Sequence, residues 1–364
     1  MTSVRRSRSV QWRNRLIGAV AAGVVIIPLL AACGSDSDAS QTNDARKATE
    51  TAAASESNSG SESGAFPVTV SGAYGDVTIE SQPERVLALS PTDADILLSL
   101  GVTPIAIPTS VQTNATTNNT GLFPWAEGKY PAGTPQLNLS TADASTLESI
   151  LALEPDLMVG TAFYGLVDQT YTALKDIAPI VSYSTAANGD SWQDSTRKVA
   201  KAVGLEAKGE EVIASAESIL PEAAAANPAL KGKTFNVLIT PSAASVYILC
   251  SADDNLGRVM TELGMVLSDY AQSVPCDGGR TEVSYESLPS LDADVLIVFP
   301  DTAEQMSALT DQQLWNNLPA VKRGAVVEIP KTESVPAALA FPSATSLEWA
   351  VDQMVPQIAE AAAK

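Results

Sequence analysis

The sequence predicts an α/β protein of two equivalent lobes, on three observations. Residues 148–159, ESILALEPDLMV, return as residues 286–297, ESLPSLDADVLI, with four of the twelve aligned positions identical and five more conservatively exchanged. Each copy reads as a Glu in a first helical turn, a short helix, an acidic turn and a buried strand of Leu, Met, Val or Ile. So wide a spacing suits two matching lobes rather than a solenoid, and the space between lobes is the usual place for a binding cleft. Strand, helix and strand follow one another from residue 86 to residue 107, the unit of a parallel sheet with crossover helices. Between the halves, residues 206–227 are rich in Ala and Glu and would form a helix about 33 Å long. Pro221 inside it predicts a kink or a break.

At 364 residues the chain has room for two domains and their cores, but the first 32 residues belong to neither. They hold five Arg and no acidic residue, then an apolar run that closes on Leu30-Ala31-Ala32-Cys33. A basic start, an apolar middle and small residues before a cut read as a secretory signal peptide; a signal anchor kept in the membrane is the competing reading. The closing box resembles the bacterial lipoprotein signal, which implies cleavage before Cys33 and a lipid on its thiol. Residues 34–65 have no aromatic and hardly any large apolar residue, so 33–65 is expected to be a flexible tether of roughly 30 Å. Without the signal, 17 of the 22 basic residues remain against all 42 acidic ones, a net charge near −25. That argues against nucleic acid or anionic lipid as a partner and leaves the lipid on Cys33 to hold the protein at the membrane.

Order begins at Phe66-Pro67-Val68-Thr69-Val70, which with residues 76–80 flanks Gly72 and Gly75 as in a hairpin. Residues 86–89 form a short buried strand, Ser90-Pro91-Thr92 start a helix that stops at Gly101, and 105–107 form the next strand. A polar loop of unusual length, 109–137, carries Phe123-Pro124-Trp125. The first repeat follows, then a helix near 168–175, a strand at 180–183 and a helix from Trp192 to Gly204. In the second half, strands fall at 235–240 and 246–249 and a helix at 255–263, and the Cys276 loop ends in Gly278-Gly279-Arg280. The second repeat, a strand at 325–329 and an amphipathic helix at 343–362 complete the chain. The expected division is an N-terminal lobe at 66–205, a linker at 206–228 and a C-terminal lobe at 229–364. Within the repeats, Ser145-Thr146-Leu147-Glu148 reads as a capping box. Ser284-Tyr285-Glu286 sets a carboxylate in a first turn, favoured there by about 0.3–1 kcal/mol.

The chain has no histidine, which excludes His-ligated zinc, His-ligated haem and every Ser-His or Cys-His hydrolase. No Ser-Lys or carboxylate constellation stands in for them, so an enzyme is not expected. Once Cys33 carries the lipid, Cys250 and Cys276 remain as an even pair in an exported chain, an expected structural disulfide.

Read end to end, the chain after the tether resembles the ABC-transporter substrate-binding lipoproteins for iron-siderophores, a group that also holds haem- and cobalamin-binding proteins. The resemblance rests on FPVTV with DVTIESQPERVLALSPT, on ILLSLGVTPIAI, LESILALEPDLMVG, VSYESLPSLDADVLIV and LWNNLPAVKRGAVVEI. It implies the class III architecture: two Rossmann-like lobes with central parallel or mixed sheets, joined by one long linker helix with little hinge movement. A ligand would lie in the cleft. It also implies that one Glu on each lobe pairs with arginines of the two permease subunits; by motif these are Glu148 and Glu286.

In open α/β sheets the crevice lies beyond the carboxyl ends of the strands. That rule selects Ser90, Thr92, Thr109, Trp125, Phe163, Tyr164, Trp192, Tyr247, Arg280 and Phe341 as candidate ligand residues. Arg280 stands out: it follows two glycines and could offer a charge-assisted contact to a chelator oxygen. Few basic residues fall at strand ends, which favours a neutral or cationic hydroxamate-type chelate over an anionic triscatecholate. The expected function is therefore capture of a ferric siderophore outside the membrane and delivery to an ABC importer by a monomeric lipoprotein. It would need no cofactor, because the chelator fills the coordination sphere of the metal. Alternatives are a haem binder, with Tyr164 or Tyr247 as axial ligand, a cobalamin binder, or a lipoprotein that only senses or scaffolds.

Overall fold

The computed structural model describes residues 66–109, 117, 120–161, 166–185 and 189–364, with the backbone alone at 166–169. Cys33 and the tether, Phe163 and Tyr164 lie outside the described residues. The α/β class holds, with separate sheets in the two halves flanked by helices. The N-terminal half carries β1 (Val68–Gly72), β2 (Gly75–Ile79), β3 (Val86–Ala88), β4 (Ile107–Thr109), β5 (Gln136–Asn138), β6 (Leu157–Gly160) and β7 (Ile180–Ser182). β3, β6 and β7 form a parallel sheet in that order, β4 pairs in parallel with β5, and β1 with β2 makes the expected hairpin. The Ile105 N–H donates to Val86 O at 3.0 Å and ties the β4 segment to β3. β5 begins inside the stretch 109–137 expected to be a loop and runs one residue past it. Only Leu137 of its three side chains is buried, so pairing with β4 makes it a strand, not an apolar pattern.

The C-terminal half carries β8 (Thr234–Ile239), β9 (Ser245–Leu249), β10 (Val266–Leu267), β11 (Arg280–Ser284), β12 (Val295–Phe299) and β13 (Val326–Glu328). Its order is β11-β9-β8-β12-β13, with β10 beside the start of β8. β8, β12 and β13 run parallel, while β9 and β11 run antiparallel to their neighbours.

Both copies of the repeat end in an inner strand. β6 lies between β3 and β7, β12 lies between β8 and β13, and every residue of both is buried. Unbroken apolar runs are what a strand covered on both faces requires. The Asp shared by the copies does the same work in each. Asp156 accepts the N–H groups of Glu84 and Arg85 at 2.8 and 2.9 Å, just ahead of β3. Asp294 accepts the Thr234 N–H at 2.8 Å, at the head of β8. That backbone N–H holds the Asp294 carboxyl below the usual carboxylate range.

Three expectations about local structure are corrected. The first repeat helix, Ala144–Ala152, is capped by Asp143, whose carboxylate accepts the Thr146 N–H at 3.0 Å; Ser145 lies inside the helix and donates to Asp143 at 2.8 Å. No Ser145 capping box forms, because the Asp two residues earlier is a charged acceptor in extended backbone. The second copy, Tyr285–Leu291, is a 3-10 segment, since Pro289 removes a donor from its middle. Of the kink or break expected at Pro221, the break does not occur: the linker helix runs continuously over Glu206–Ala226. The carbonyl deprived of its donor belongs to Glu217, which is exposed, so water can serve it. The linker packs on the helix Trp192–Ala202 and on the C-terminal helix Ala344–Ala362, and so touches both halves. At Gly209 a Cβ would fall 2.6 Å from that of Ala200, so only glycine permits this approach.

Cys250 and Cys276 are bridged, with Cα atoms 5.7 Å apart. The bond closes a loop with a sequence separation of 26 residues. Its reduction should lower the unfolding free energy by about 3.5 kcal/mol. Denaturant melts with and without dithiothreitol check this, and coincident curves would refute it. Among the described residues no helix is long and apolar enough to cross a membrane.

Candidate ligand cleft

At the carboxyl end of β3, Ser90 caps the helix Pro91–Ser99, accepting the Asp93 N–H at 3.0 Å and donating its hydroxyl to Asp93 Oδ2 at 2.5 Å. The other oxygen of buried Asp93 accepts the N–H and hydroxyl of Thr161 at 2.8 and 2.7 Å. The first helix is thereby fastened to the end of β6, just ahead of residues 162–165. Thr109 is buried and donates to Leu137 O at 3.3 Å. The hydroxyls of Ser90 and Thr109 are thus engaged in holding strand ends together.

Thr92, Trp192 and Phe341 converge on one small pocket between the halves. Ile96, Thr161, Asp190 and Ser195 join them from the N-terminal half, Asn255 and Pro342 from the C-terminal half. Trp192 opens its helix, after the Ser191 cap, and Asn255 opens another after the Asp254 cap. Asn255 Nδ2 donates to Ala340 O at 3.0 Å and so fastens that helix to the loop bearing Phe341. Thr161, Asp190 and Asn255 were not among the sequence candidates. The Asp254 cap just before it was the available signal for Asn255, whereas Thr161 and Asp190 had none beyond position.

Tyr247 and Arg280 lie outside this pocket, on β9 and β11. Arg280 stands opposite Leu249 and Glu282 opposite Tyr247, which places Tyr247 and Arg280 diagonally on one sheet face, both exposed. Arg280 makes no ion pair among the described residues.

Trp125 is buried where the halves meet. Its ring stacks on Phe123 with centroids 4.5 Å apart and tilts against Trp349 at 5.2 Å. Its Nε1 donates to Asp95 Oδ2 at 2.7 Å. Ser343, the cap of the C-terminal helix, donates to the same oxygen at 3.5 Å. Asp95 therefore joins a helix of the N-terminal half to one of the C-terminal half. Burial pushes its carboxyl up to about 7, against the opposing pull of Trp125, Lys129 and Ser343. Burial, and then Asp95, pushes the Tyr130 phenol well above its ordinary value, so it stays neutral.

Glu148 and Glu286 are both exposed, on the helix Ala144–Ala152 and on the 3-10 segment of the second repeat. Among the described residues no cluster of three or more His, Cys, Asp or Glu could hold a metal ion.

Two α/β halves tied by one continuous helix, with a polar-aromatic pocket at the strand ends between them, define a solute-binding protein. The chain belongs to the periplasmic binding protein family, whose model matches residues 86–333. It is 28% identical over 259 residues to the Fe(3+)-citrate-binding protein YfmC of Bacillus subtilis strain 168, covering 70% of this chain and 75% of that one. Its fold is similar to a periplasmic solute binding protein from Mycobacterium smegmatis, at 27% identity and a TM-score of 0.68, over 81% of this chain and 98% of the other. It is also similar in fold to PiaA of Streptococcus pneumoniae TIGR4, solved in complex with ferrichrome, at 24% identity and a TM-score of 0.66, with the same coverage.

Proposed function

We propose that this protein captures a ferric-siderophore complex outside the cell membrane and hands it to an ABC importer. The match to the periplasmic binding protein family carries the reading; Thr92 and Trp192 on one half and Asn255 and Phe341 on the other bring two aromatic faces and neutral hydrogen-bonding groups to a pocket of about 30 Å³, which marks the cleft without enclosing a chelate. The names of its relatives support only the general ligand class, an iron chelate: ferric citrate for YfmC and ferrichrome for PiaA. Tyr247 and Arg280 add an aromatic face and a charged donor for chelator oxygens. Phe163 and Tyr164, which follow the Asp93–Thr161 anchor in sequence, complete the proposed ligand set. The metal keeps its chelator throughout, so the protein supplies no ligand to iron.

The lobes, 66–205 and 229–364, are joined by the linker 206–228 and tethered through residues 33–65 to a lipid on Cys33. The protein works as a monomer, and Glu148 and Glu286 dock on arginines of the two permease subunits. Two carboxylates held apart on a rigid body fix orientation as well as affinity.

Titration of the full chain with ferric hydroxamates, ferric catecholates, haem and cobalamin, followed by tryptophan fluorescence quenching, tests the ligand. Binding at micromolar concentration or tighter is expected for at least one iron chelate. A Soret band on haem addition, without binding of any chelate, would overturn the reading.

A further inference from the structure

We infer that the cleft selects an electrically neutral or cationic iron chelate, and that Asp190 and Asp301 set this selectivity, each by cancelling a lysine at the carboxyl ends of the strands. The inference rests on the iron-chelate reading above and specifies the ligand class of that site.

In the N-terminal half, Lys198 reaches the end of β7. Its Nζ donates to Ser182 O at 3.0 Å and to Ser184 Oγ at 2.8 Å, and it pairs with Asp190 at 3.2 Å. The two side chains are 10% and 7% exposed, so this ion pair is held close to the interior, and Asp190 lines the pocket. In the C-terminal half, Lys331 reaches the ends of β8 and β12. Its Nζ meets Thr240 Oγ1 and pairs with Asp301 at 2.9 Å. The two halves thus carry the same arrangement: a lysine at a strand end with an aspartate that offsets its charge.

Apart from Arg280, the remaining strand-end chain adds no cation. Residues 110–116, 118–119, 162–165 and 186–188 contain no Asp, Glu, Lys or Arg, so they contribute no charge wherever they lie. Residues 240–244, after β8, are likewise uncharged. Asp253 and Asp254, just before Asn255, add only negative charge. Arg280 shares its strand face with Glu282 two residues on. A trianionic chelate would therefore find no surplus positive charge, in a partly enclosed site where Coulomb terms exceed those in water. A neutral or cationic hydroxamate complex avoids that repulsion and still finds the donors of Arg280, Asn255 and Thr92.

The test titrates the full chain with ferrioxamine B, ferrichrome, ferric enterobactin and ferric dicitrate, read by fluorescence quenching. The first two should bind at least about 100-fold more tightly than the last two. Asp190→Asn and Asp301→Asn, which keep shape while uncovering a lysine, should each narrow that gap about tenfold. Equal or tighter binding of the anionic complexes by wild type overturns the inference, as does a gap that neither variant moves. If all four bind equally well, this inference falls and the iron-chelate reading stands; if none binds, both fall. Should Asp190→Asn fail to fold, the more exposed Asp301 pair and the wild-type panel still decide.

Discussion

Across pH 4 to 8, wild-type protein should lose about 4 kcal/mol of unfolding free energy relative to Asp95→Asn. The Asp95 carboxyl titrates near 7 in the folded protein and at its ordinary 3.8 in the unfolded chain. Below 3.8 it is protonated in both states and its relative stabilisation is full. As pH rises the unfolded chain gives up its proton first, so stability is lost up to about 7 and then levels off. Asn keeps an acceptor for Trp125 Nε1 and removes the titration. Asp143, Asp294 and Glu304 have lowered carboxyls and contribute in the opposite sense at acid pH, so the difference between the two curves isolates Asp95. Denaturant melts at several pH values provide the measurement, and parallel pH profiles would refute the assignment. Because Asp95 bonds both Trp125 and Ser343, the same titration bears on how firmly the halves are joined.

Replacing Glu148 and Glu286 together by Ala should cut uptake of a bound chelate at least about tenfold and leave its binding unchanged. Each carboxylate is exposed, and the cap of the first repeat helix is Asp143, so removing Glu148 costs the fold little. An exposed carboxylate that meets an arginine fork contributes on the order of 1–3 kcal/mol, and on the docking proposed above two such contacts would act on one event. Single replacements should fall between wild type and the double variant. Full uptake by the double variant, with chelate binding intact, would remove docking from the roles of these residues.

The repeat made the architecture legible because its signal is local. An inner parallel strand buried on both faces must be apolar throughout, and the acid before it must accept the N–H groups at the head of the neighbouring strand. Asp156 and Asp294 meet that need in both halves. Helix starts at Ser90, Ser191 and Asp254 were equally local, set by a short polar side chain before the first turn. The 3-10 form of the second repeat, β5 and the unbroken linker were less legible, since each depends on a partner or on solvent elsewhere in the fold.

The candidate site divided along the same line. Proximity to strand ends was readable for Thr92, Trp192 and Phe341, and the fold brings them to one pocket. Ser90, Thr109 and Trp125 met the same rule, yet their polar groups are taken by Asp93, Leu137 and Asp95. No spacing in the sequence tells a free hydroxyl or indole from an engaged one. Net charge, the missing histidine, the cysteine pair and the two-lobed α/β class followed from the sequence alone, because composition and short-range periodicity specify them. Which lysine is cancelled by which aspartate, and which carboxyl is buried between the halves, only the tertiary structure decided. Those properties arise from groups far apart in the chain and from the loss of water around them, and neither is written in any one stretch.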